Sequence, residues 1–579
     1  MHRSTQNALM VLVVKTVLVV AFLPFVVSLS SSRCRLLPTD DIWPATREWD
    51  SFNHSIDGRL IKTVPIGSPC HDHNFDQAKC DVVRDSWSSP ELHEAHPSSI
   101  MFPLFLNNTC SPFTPRGFPC PVGTYVQYAV NVSSPEHVIK AVRFVKEHNI
   151  RFVVKNTGHD YMGRSTGTGA VSVWMHNLQN ITWLPNFKSS TYSGPAVKSY
   201  AGVRGVDLAA FVNKRGHTVV SGECPTVGFT GGYIQGAGHS ALTNLYGLAA
   251  DQALEFEVIT TQGQHLIASA TQNQDLFWAL SGGGGGTYGV VWSVTVKAHP
   301  DTSVSAGFLN FTSTGITPDV YWQAINAYQA LIPGLSDSGL FVMANYSTTL
   351  FNLSPIFAPN KSVSEVTTLF QPLVDSLQNL GINYTSTIDL YPNYLEAYKA
   401  MDAWKEENLP VANIVQGGRL IPRALWNDNS TFSAWKDVVR NLTERSDSDW
   451  SHEMILRPTL QISGHPENAV LPAWREAQTM FLPTTVFDVA TPFEKIAEDQ
   501  AKITTQLTPL LKTVTPGSGS YLNEADPNDP DFKEAFYGAN YDKLLAIKDK
   551  WDPDQILYGS IAVGGDRWQQ EDDGRLCRT

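Results

Sequence analysis

Two short glycine-framed stretches carry the residue types best suited to chemistry. The first, Lys155-Asn-Thr-Gly-His159-Asp-Tyr-Met-Gly-Arg-Ser165, offers an imidazole, and the second, Gly222-Glu-Cys224-Pro-Thr-Val-Gly-Phe-Thr-Gly-Gly232-Tyr-Ile-Gln-Gly236-Ala-Gly238, offers a thiol. Both groups are nucleophiles, and glycines let a backbone approach a bulky anionic ligand closely. The ordinary alternatives to a chemical role are a core histidine whose hydrogen bonds are satisfied and a buried cysteine that packs as a small apolar side chain.

Cys224 is also the odd member of a set of seven cysteines. In an oxidising compartment an odd count leaves one thiol free, intermolecular or chemically committed. The other six are Cys34, Cys70, Cys80, Cys110, Cys120 and Cys577. Sequence alone does not determine connectivity, but pairing 70 with 80, 110 with 120 and 34 with 577 is one hypothesis, which would join the two ends of the mature chain.

The elements before each loop predict how the two loops are positioned. Residues 125–131 alternate as a strand, 138–148 carry apolar residues at helical spacing, and 151–154 form a short buried strand that enters the His159 loop. A loop at such a strand end presents backbone N–H groups, which can bind phosphate without Lys or Arg. A helix over 205–216 and a strand over 218–220 precede the Cys224 loop.

A third glycine-rich run covers residues 281–289. A flexible linker is the simplest explanation of such a run, but apolar segments flank it tightly and residues 290–297 continue with strand periodicity. We therefore interpret it as a loop inside a domain.

Composition excludes several classes of protein. The chain has 579 residues, 17% charged and 42% hydrophobic, with a net charge of −13. Its length allows two to four domains, and its composition is that of a globular protein. Nucleic-acid or anionic-membrane binding needs clustered Lys and Arg, which are missing.

The N-terminus predicts export. Residues 1–32 combine an early basic residue, an apolar run and small residues, as in a signal peptide, and no stable membrane span is expected. A retained signal anchor is the alternative. Sequons of the form Asn-x-Ser/Thr begin at Asn53, Asn107, Asn131, Asn180, Asn310, Asn345, Asn352, Asn360, Asn383, Asn429 and Asn441. Their number favours a secreted glycoprotein.

The remaining segments carry weaker signals. The sequence of residues 33–120 predicts an irregular extension that disulfides hold together. Within it, His71-Asp-His73 is more typical of a solvated loop than of a metal site. Residues 304–510 alternate helical and strand-like pieces, which predicts an antiparallel sheet covered by helices. His452, Glu453 and His465 are interpreted there as ordinary sheet or loop residues.

Four sequence features occur in the same order as in a known family. They are the His159 loop, the Cys224 loop, residues 276–291, and a tail containing Tyr521-Leu-Asn523 and residues 535–553. Together they resemble the VAO/PCMH flavoprotein superfamily, and within it berberine-bridge-enzyme-like oxidases, particularly secreted fungal enzymes of the isoamyl-alcohol-oxidase type. The resemblance covers roughly 120–300 and the last 60 residues.

The resemblance implies an α+β fold. It implies a PCMH-type FAD-binding domain in two α/β subdomains at 121–303, a substrate domain at 304–510 and a C-terminal segment at 511–579 that returns to the FAD domain.

The resemblance further implies a bicovalent FAD, with His159 joined to the 8α-methyl and Cys224 to C6. The residues expected to bind the cofactor are Asn156, Thr157, Gly158, His159, Asp160, Ser165, Cys224, Val227, Gly228 and Gly232. Val227 matches the position that controls oxygen access in the family. Gly232 departs from the histidine of several plant members, which bonds the ribityl chain, so this sequence lacks one donor there.

Tyr521 and Asn523 are the catalytic residues that the resemblance implies. Two apart on an extended segment, they would project to one face. Tyr521 could accept a substrate proton if neighbours lower its pKa, and structural packing is the alternative.

The function expected from these residues is that of a secreted, FAD-linked oxidase. It would transfer hydride from an alcohol or an activated C–H to the flavin, with O₂ as acceptor giving H₂O₂ and no metal, and small alcohols, sugars and polyketide-like metabolites are all open as substrates. A dehydrogenase or tailoring enzyme of secondary metabolism is the alternative within enzymes, and a secreted binding protein is the alternative of another class. No Rossmann fingerprint occurs in a credible context.

Overall fold

The computed structural model describes residues 33–401, 413–445 and 449–579. The predicted signal peptide at 1–32 lies outside the described residues. Cys34–Thr579 forms one compact unit. The domain boundaries expected from the sequence stay predictions.

A four-stranded sheet positions the His159 loop. Its strands are β1 (Leu60–Lys62), β2 (Tyr128–Asn131), β3 (Phe152–Lys155) and β4 (Val171–Trp174), and the helices around it are α1 (Thr46–Ser55), α2 (Gln77–Asp85), α3 (Pro90–Glu94) and α4 (Pro135–Glu147). The order is β1-β2-β4-β3, with β4 parallel to both neighbours and β1 antiparallel. Helix α4 connects β2 to β3, so the predicted strand–helix–strand unit is confirmed.

The segment before residue 120 is more regular than predicted. Phe52 of α1 stacks on Phe144 of α4, Trp49 packs against the same ring at a tilt with centroids 4.7 Å apart, and β1 extends the sheet. Buried aromatic side chains of this kind each stabilise the fold by about 1.5–3 kcal/mol. His71 is buried, with Nε2 at 3.0 Å from the Ser111 carbonyl, so the expected solvated loop is wrong for this residue. No metal-ligand group of three occurs among the described residues.

An antiparallel sheet of five strands positions the Cys224 loop. Its strands are β5 (Ile181–Lys188), β6 (Ser193–Tyr200), β8 (Ala253–Ile259), β9 (His265–Ser269) and β10 (Val290–Lys297), in the order β5-β6-β10-β8-β9. The elements around it are α5 (Gly205–Asn213), β7 (His217–Thr218), α6 (Thr243–Tyr246), α7 (Gln274–Leu280) and β11 (His299–Pro300). The glycine run lies between α7 and β10, as predicted.

An antiparallel sheet of eight strands follows. Its strands are β12 (Val304–Thr312), β13 (Phe341–Tyr346), β14 (Leu350–Pro359), β15 (Tyr384–Tyr391), β16 (Ile414–Gln416), β17 (Arg419–Pro422), β18 (Asp449–Ile455) and β19 (Ala477–Val486). The order is β15-β12-β14-β13-β18-β19-β16, and β17 also pairs with β19. The helices of this region are α8 (Pro318–Asp337), α9 (Val363–Asn379), α10 (Tyr394–Ala400), α11 (Asn429–Thr443) and α12 (Leu460–Ser463).

The two faces of this large sheet pack against different partners. Helices α8, α9 and α11 cover one face through Tyr328, Leu373 and Trp435. On the other face, Met454 and Leu482 join the core that contains the five-stranded sheet. The predicted helix-covered antiparallel sheet is confirmed. Strand β18 ends at Ile455, where the chain leaves the sheet, and α12 begins at residue 460.

The last 90 residues first add to the core of the large sheet and then return to the first half of the chain. They form α13 (Phe493–Lys502), α14 (Thr508–Val514), α15 (Phe532–Tyr537), α16 (Tyr541–Trp551), β20 (Trp568–Gln570) and β21 (Leu576–Arg578). Leu557 pairs with Phe152 of β3 as an isolated bridge. The disulfides are Cys34–Cys577, Cys70–Cys80 and Cys110–Cys120, so the hypothetical pairing is confirmed. Within the described ranges, no helix has the length and apolar character that crossing a bilayer requires.

Candidate active site

One cavity of about 650 Å³ brings together every site residue predicted from the sequence. These are Asn156, Thr157, Gly158, His159, Asp160, Ser165, Cys224, Val227, Gly228, Gly232, Tyr521 and Asn523. The His159 loop follows β3, the Cys224 loop follows β7, and the tail supplies the other two residues. Three segments that are distant in sequence therefore form one wall.

His159 and Cys224 lie side by side in this wall. Sγ of Cys224 is 4.0 Å from Nε2 of His159, and the Thr226 hydroxyl lies 2.7 Å from the same nitrogen. Burial lowers the pKa of His159 to about 4 and raises the pKa of the Cys224 thiol. The imidazole is therefore neutral at neutral pH, and its Nε2 is engaged by the Thr226 hydroxyl.

The loop around His159 is held by its own carboxylate. Asp160 accepts hydrogen bonds from the backbone N–H of Met162 at 3.0 Å and of Ser165 at 2.6 Å. Gly158 has a φ of +99°, a conformation that favours glycine, and its carbonyl accepts the Met101 N–H at 3.1 Å. The loop is thus fixed independently of any ligand.

Glycine is also required in the Cys224 loop. A Cβ on Gly228 would lie 2.3 Å from Nδ2 of Asn156, and a Cβ on Gly236 would lie 2.5 Å from Nδ2 of Asn523. Any larger residue at these two positions would displace a side chain of the cavity wall.

Tyr521 and Asn523 reach the cavity from a turn and not from an extended segment. The Glu524 N–H donates to the Tyr521 carbonyl at 3.1 Å, which closes the turn. Nδ2 of Asn523 donates to the Gly232 carbonyl at 2.9 Å and to the Tyr521 hydroxyl at 3.0 Å. The predicted backbone conformation is wrong, although both side chains do reach the same site.

The ionisation of Tyr521 also differs from the expectation. Burial raises its pKa above the ordinary value, and the charge of Glu524 raises it further. The neighbours therefore favour the neutral phenol. The condition under which Tyr521 would act as a base is not met.

Several cavity residues were not predicted from the sequence. They are Arg164, Glu223, His239, Gln416, Trp450, His452, Met454 and Glu524. Glu223 adjoins Cys224 and Glu524 adjoins Asn523, so adjacency to the predicted residues is a signal that could have identified them.

His452 also departs from its expected role as an ordinary sheet residue, because its ring faces the cavity. Glu453, the next residue in β18, is buried on the opposite face, where Thr479 and Gln329 donate to its carboxylate at 2.8 and 2.6 Å. Successive side chains of a strand point to opposite faces, which explains the difference.

The cavity fits a flavin dinucleotide. Oδ1 of Asn156 and Nη1 of Arg164 are buried and have no hydrogen-bond partner among the described residues. The backbone of Gly231, Gly232, Gly285 and Gly286 forms part of the wall and leaves room for a flat ring. A cationic group, an amide oxygen and thin backbone match the polar and planar parts of such a cofactor.

Two family profiles match the chain. Residues 126–269 match the FAD binding domain family, and residues 520–559 match the berberine and berberine-like family. The first match contains both glycine-framed loops, and the second contains Tyr521 and Asn523.

Known relatives align over nearly the whole chain. The FAD-linked oxidoreductase patO of Penicillium expansum is 43% identical over 548 residues, which are 95% of this chain and 95% of that protein. The VAO-type flavoprotein oxidase VAO615 of Thermothelomyces thermophilus is 39% identical over 556 residues, covering 95% of this chain and 96% of that protein.

The fold agrees with these alignments. The crystal structure of the VAO-type flavoprotein MtVAO615 from Myceliophthora thermophila C1 at pH 5.0 matches with a TM-score of 0.90 and 37% identity, over 94% of this chain and all of that one. The predicted α+β fold class and the predicted oxidoreductase activity are confirmed. The chain belongs to the berberine-bridge-enzyme-like FAD-linked oxidoreductases of the VAO type.

Proposed function

We propose that the protein is a secreted oxidase whose FAD is attached through both His159 and Cys224. Bound FAD would accept a hydride from an alcohol or an activated C–H and pass the electrons to O₂, yielding H₂O₂. The observation that carries the double attachment is the 4.0 Å separation of the two nucleophilic side chains in one cavity wall.

Ionisation supports this attachment. Nucleophilic attack by an imidazole needs the neutral ring, and burial keeps His159 neutral by lowering its pKa to about 4. The Thr226 hydroxyl engages Nε2 and so orients Nδ1 as the attacking atom. The same hydroxyl lies 3.7 Å from Sγ of Cys224, so one side chain contacts both the imidazole and the thiol.

The attachment is tested by denaturing the holoprotein with acid and measuring the flavin absorbance that precipitates with it. We expect His159→Ala and Cys224→Ala each to retain flavin in the precipitate, because the other link remains. The double variant should release it. Loss of flavin from either single variant would contradict the double link, and release from the wild type would contradict any covalent link.

Oxygen as the acceptor is supported by Val227, which is half-buried in the cavity wall next to Thr226. A small side chain leaves room for O₂ beside the ring. The name of the relative VAO615 describes an oxidase. Peroxide formation during turnover, compared with reduction of an artificial dye in the absence of oxygen, distinguishes an oxidase from a dehydrogenase.

The wall contributed by the large sheet favours a substrate with an apolar body. It presents the side chains of Met343, Trp450, Met454, Leu482 and Phe487. Polar atoms are few on this side, but Nε2 of Gln416 and Nδ1 of His452 are buried and have no hydrogen-bond partner among the described residues. Such a surface suits an alcohol with an aromatic or aliphatic body and one or two polar groups better than an oligosaccharide.

The same wall supports a second candidate, a tailoring oxidoreductase of secondary metabolism. The substrate class common to both candidates is tested by adding benzyl alcohol, 1-octanol or cellobiose to the holoprotein and recording oxygen uptake and peroxide. We expect the first two to be oxidised faster than cellobiose. Faster oxidation of cellobiose would contradict the assigned substrate class.

Export is supported by the disulfides and by the surface. Three disulfides suit an oxidising compartment. None of the sequon asparagines is buried, and Asn107, Asn180, Asn360, Asn383, Asn429 and Asn441 are exposed. A shift in mass on treatment of the secreted protein with an N-glycosidase tests this assignment, and an unchanged mass would contradict glycosylation.

A further inference from the structure

Three charged side chains form a buried cluster in the cavity wall. Nε2 of His239 lies 3.2 Å from Oε1 of Glu524, and Nδ1 lies 3.2 Å from Oε2 of Glu223. The side chains of His239 and Glu223 are 6% and 10% exposed, and that of Glu524 is 26% exposed. Glu524 is therefore the carboxylate that the cavity reaches most easily.

The cluster lies where the predicted site residues meet. Glu223 precedes Cys224, Glu524 follows Asn523, and the His239 ring stands edge-on to the Tyr521 ring with centroids 5.2 Å apart. All three members line the cavity. The charged group thus adjoins both the thiol proposed to hold the flavin and the tail residues expected to contact substrate.

We propose that Glu524 is the proton acceptor of the oxidation and that His239, backed by Glu223, is the residue that positions its carboxylate. This inference rests on the proposed function, because the flavin supplies the hydride acceptor.

The charge balance of the cluster supports this role. Burial alone lowers the pKa of His239, but the two carboxylates outweigh it and raise the pKa to about 10. The imidazole is therefore a cation at neutral pH and neutralises one of the two carboxylates. One negative charge remains, and Oε1 of Glu223 is buried without a hydrogen-bond partner among the described residues.

The other titratable groups around the cluster are poor proton acceptors at neutral pH. Burial raises the pKa of each of the surrounding phenols and of the thiol, namely Tyr161, Tyr233, Tyr394, Tyr521 and Cys224. All five are neutral and protonated near pH 7. Among the groups that face the cluster, a glutamate is the one that can take up a proton.

The step balances in protons and electrons. As the alcohol is oxidised, its O–H bond breaks and the proton forms a new O–H bond to Glu524. The electron pair of the carbinol C–H bond leaves as hydride to the flavin, and the carbon becomes a carbonyl. When Glu524 is protonated, its contact with the imidazolium weakens, and the proton can pass to solvent through the open side of the cavity.

A purely structural role is the alternative, since the cluster also joins the tail to the Cys224 loop. The two roles separate in a test on the holoprotein with Glu524→Gln, His239→Gln and Glu223→Gln. Glu147→Gln, on the exposed end of α4, serves as the matched control. Flavin retained after acid precipitation and the thermal midpoint report on structure, and anaerobic bleaching of the flavin by benzyl alcohol, 1-octanol or cellobiose reports on the reaction.

We expect the rate of flavin bleaching, per attached flavin, to be at least about 100-fold lower in Glu524→Gln than in the wild type, as is typical for loss of a general base. Added formate should partly restore bleaching in Glu524→Ala, because it can occupy the position of the lost carboxylate. His239→Gln should cause a smaller loss and make the rate depend on pH. In protein with ¹³C-labelled histidine, one imidazole should stay protonated above pH 8 in the wild type and lose its proton at lower pH in Glu524→Gln.

Bleaching of Glu524→Gln at the wild-type rate overturns the role of Glu524 and leaves the proposed function intact. A lower thermal midpoint with an unchanged rate per attached flavin in all three cluster variants has the same meaning. If Glu524→Gln does not fold, Glu524→Ala without formate replaces it, and a rate equal to the wild type overturns the proposal. A wild type that none of the three alcohols bleaches overturns the proposed function, and the role of Glu524 with it.

Discussion

At the scale of single residues, the volume of Val227 decides how much room remains in the cavity wall beside the proposed flavin. Replacing it with leucine adds one methylene at a half-buried position. We expect Val227→Leu to slow reoxidation of the reduced enzyme by O₂ by about tenfold or more, equivalent to about 1.4 kcal/mol in the barrier. Stopped-flow mixing with oxygenated buffer measures this rate.

Val206→Leu is the matched control for that experiment. Val206 is also half-buried and lies in α5, outside the cavity lining. Its reoxidation should match the wild type. Equal rates in Val227→Leu and the wild type would count against the oxidase assignment.

The ionisation of His239 predicts a dependence of stability on pH. Its pKa is about 10 in the folded protein against 6.5 for an ordinary histidine, so its contribution to folding is complete below pH 6.5 and is lost as the pH rises toward 10. Between these values, the free energy of unfolding should fall by up to about 1.4 kcal/mol per pH unit more in the wild type than in His239→Gln. Denaturant titrations at about pH 7, 8 and 9 measure the difference, and parallel pH profiles would contradict it.

At the scale of elements, the buried side chain of Lys548 fixes α16 to the glycine run. Nζ of Lys548 donates to Asp552 at 2.5 Å, to the Thr287 carbonyl at 2.9 Å and to the Leu557 carbonyl at 2.8 Å. The two charged side chains are 3% and 0% exposed. Lys548→Met would leave a buried carboxylate without its counter-charge.

We expect Lys548→Met to lower the free energy of unfolding by about 3–5 kcal/mol. Lys550→Met provides the control, because the Lys550 side chain is 59% exposed in its pair with Asp275 and should contribute at most about 1 kcal/mol. Denaturant midpoints of both variants test this contrast. Equal losses would show that burial does not set the strength of the Lys548 pair.

The helices could be predicted from the sequence wherever one face of a helix packs on a core. The predicted helices over 138–148 and 205–216 agree with α4 (Pro135–Glu147) and α5 (Gly205–Asn213) to within three residues at each end. The turn at Tyr521 could not be predicted in this way. Hydrogen bonds to Gly232, nearly 300 residues earlier, hold its side chains in place.

The site was only half predictable for the same reason. His159 and Cys224 are each flanked by glycines in the sequence, which indicates that a ligand approaches the backbone closely there. Glu223, His239 and Glu524 have no such frame, and they become a cluster only when the tail folds back onto the Cys224 loop. Their pKa values likewise depend on burial and charge, which spacing in the sequence does not report.

At the scale of the whole molecule, a disulfide between Cys34 and Cys577 closes a loop of 543 residues. The double variant Cys34→Ser/Cys577→Ser should lose about 2–5 kcal/mol of unfolding free energy, because the unfolded chain gains freedom. Cys70→Ser/Cys80→Ser, which opens a loop of 10 residues, is the control and should lose less. Calorimetry or denaturant titration measures both, and a larger loss in the control would contradict the loop-length argument.

The return of the tail also bears on the order of events during biosynthesis. Asn523, Glu524 and Tyr558 line the cavity, and Cys577 closes the chain only two residues before its end. When both glycine-framed loops have emerged from the ribosome, the nascent chain still lacks this side of the pocket. Cofactor loading is therefore expected to follow synthesis of the tail, which makes completion of this segment a checkpoint for flavin incorporation.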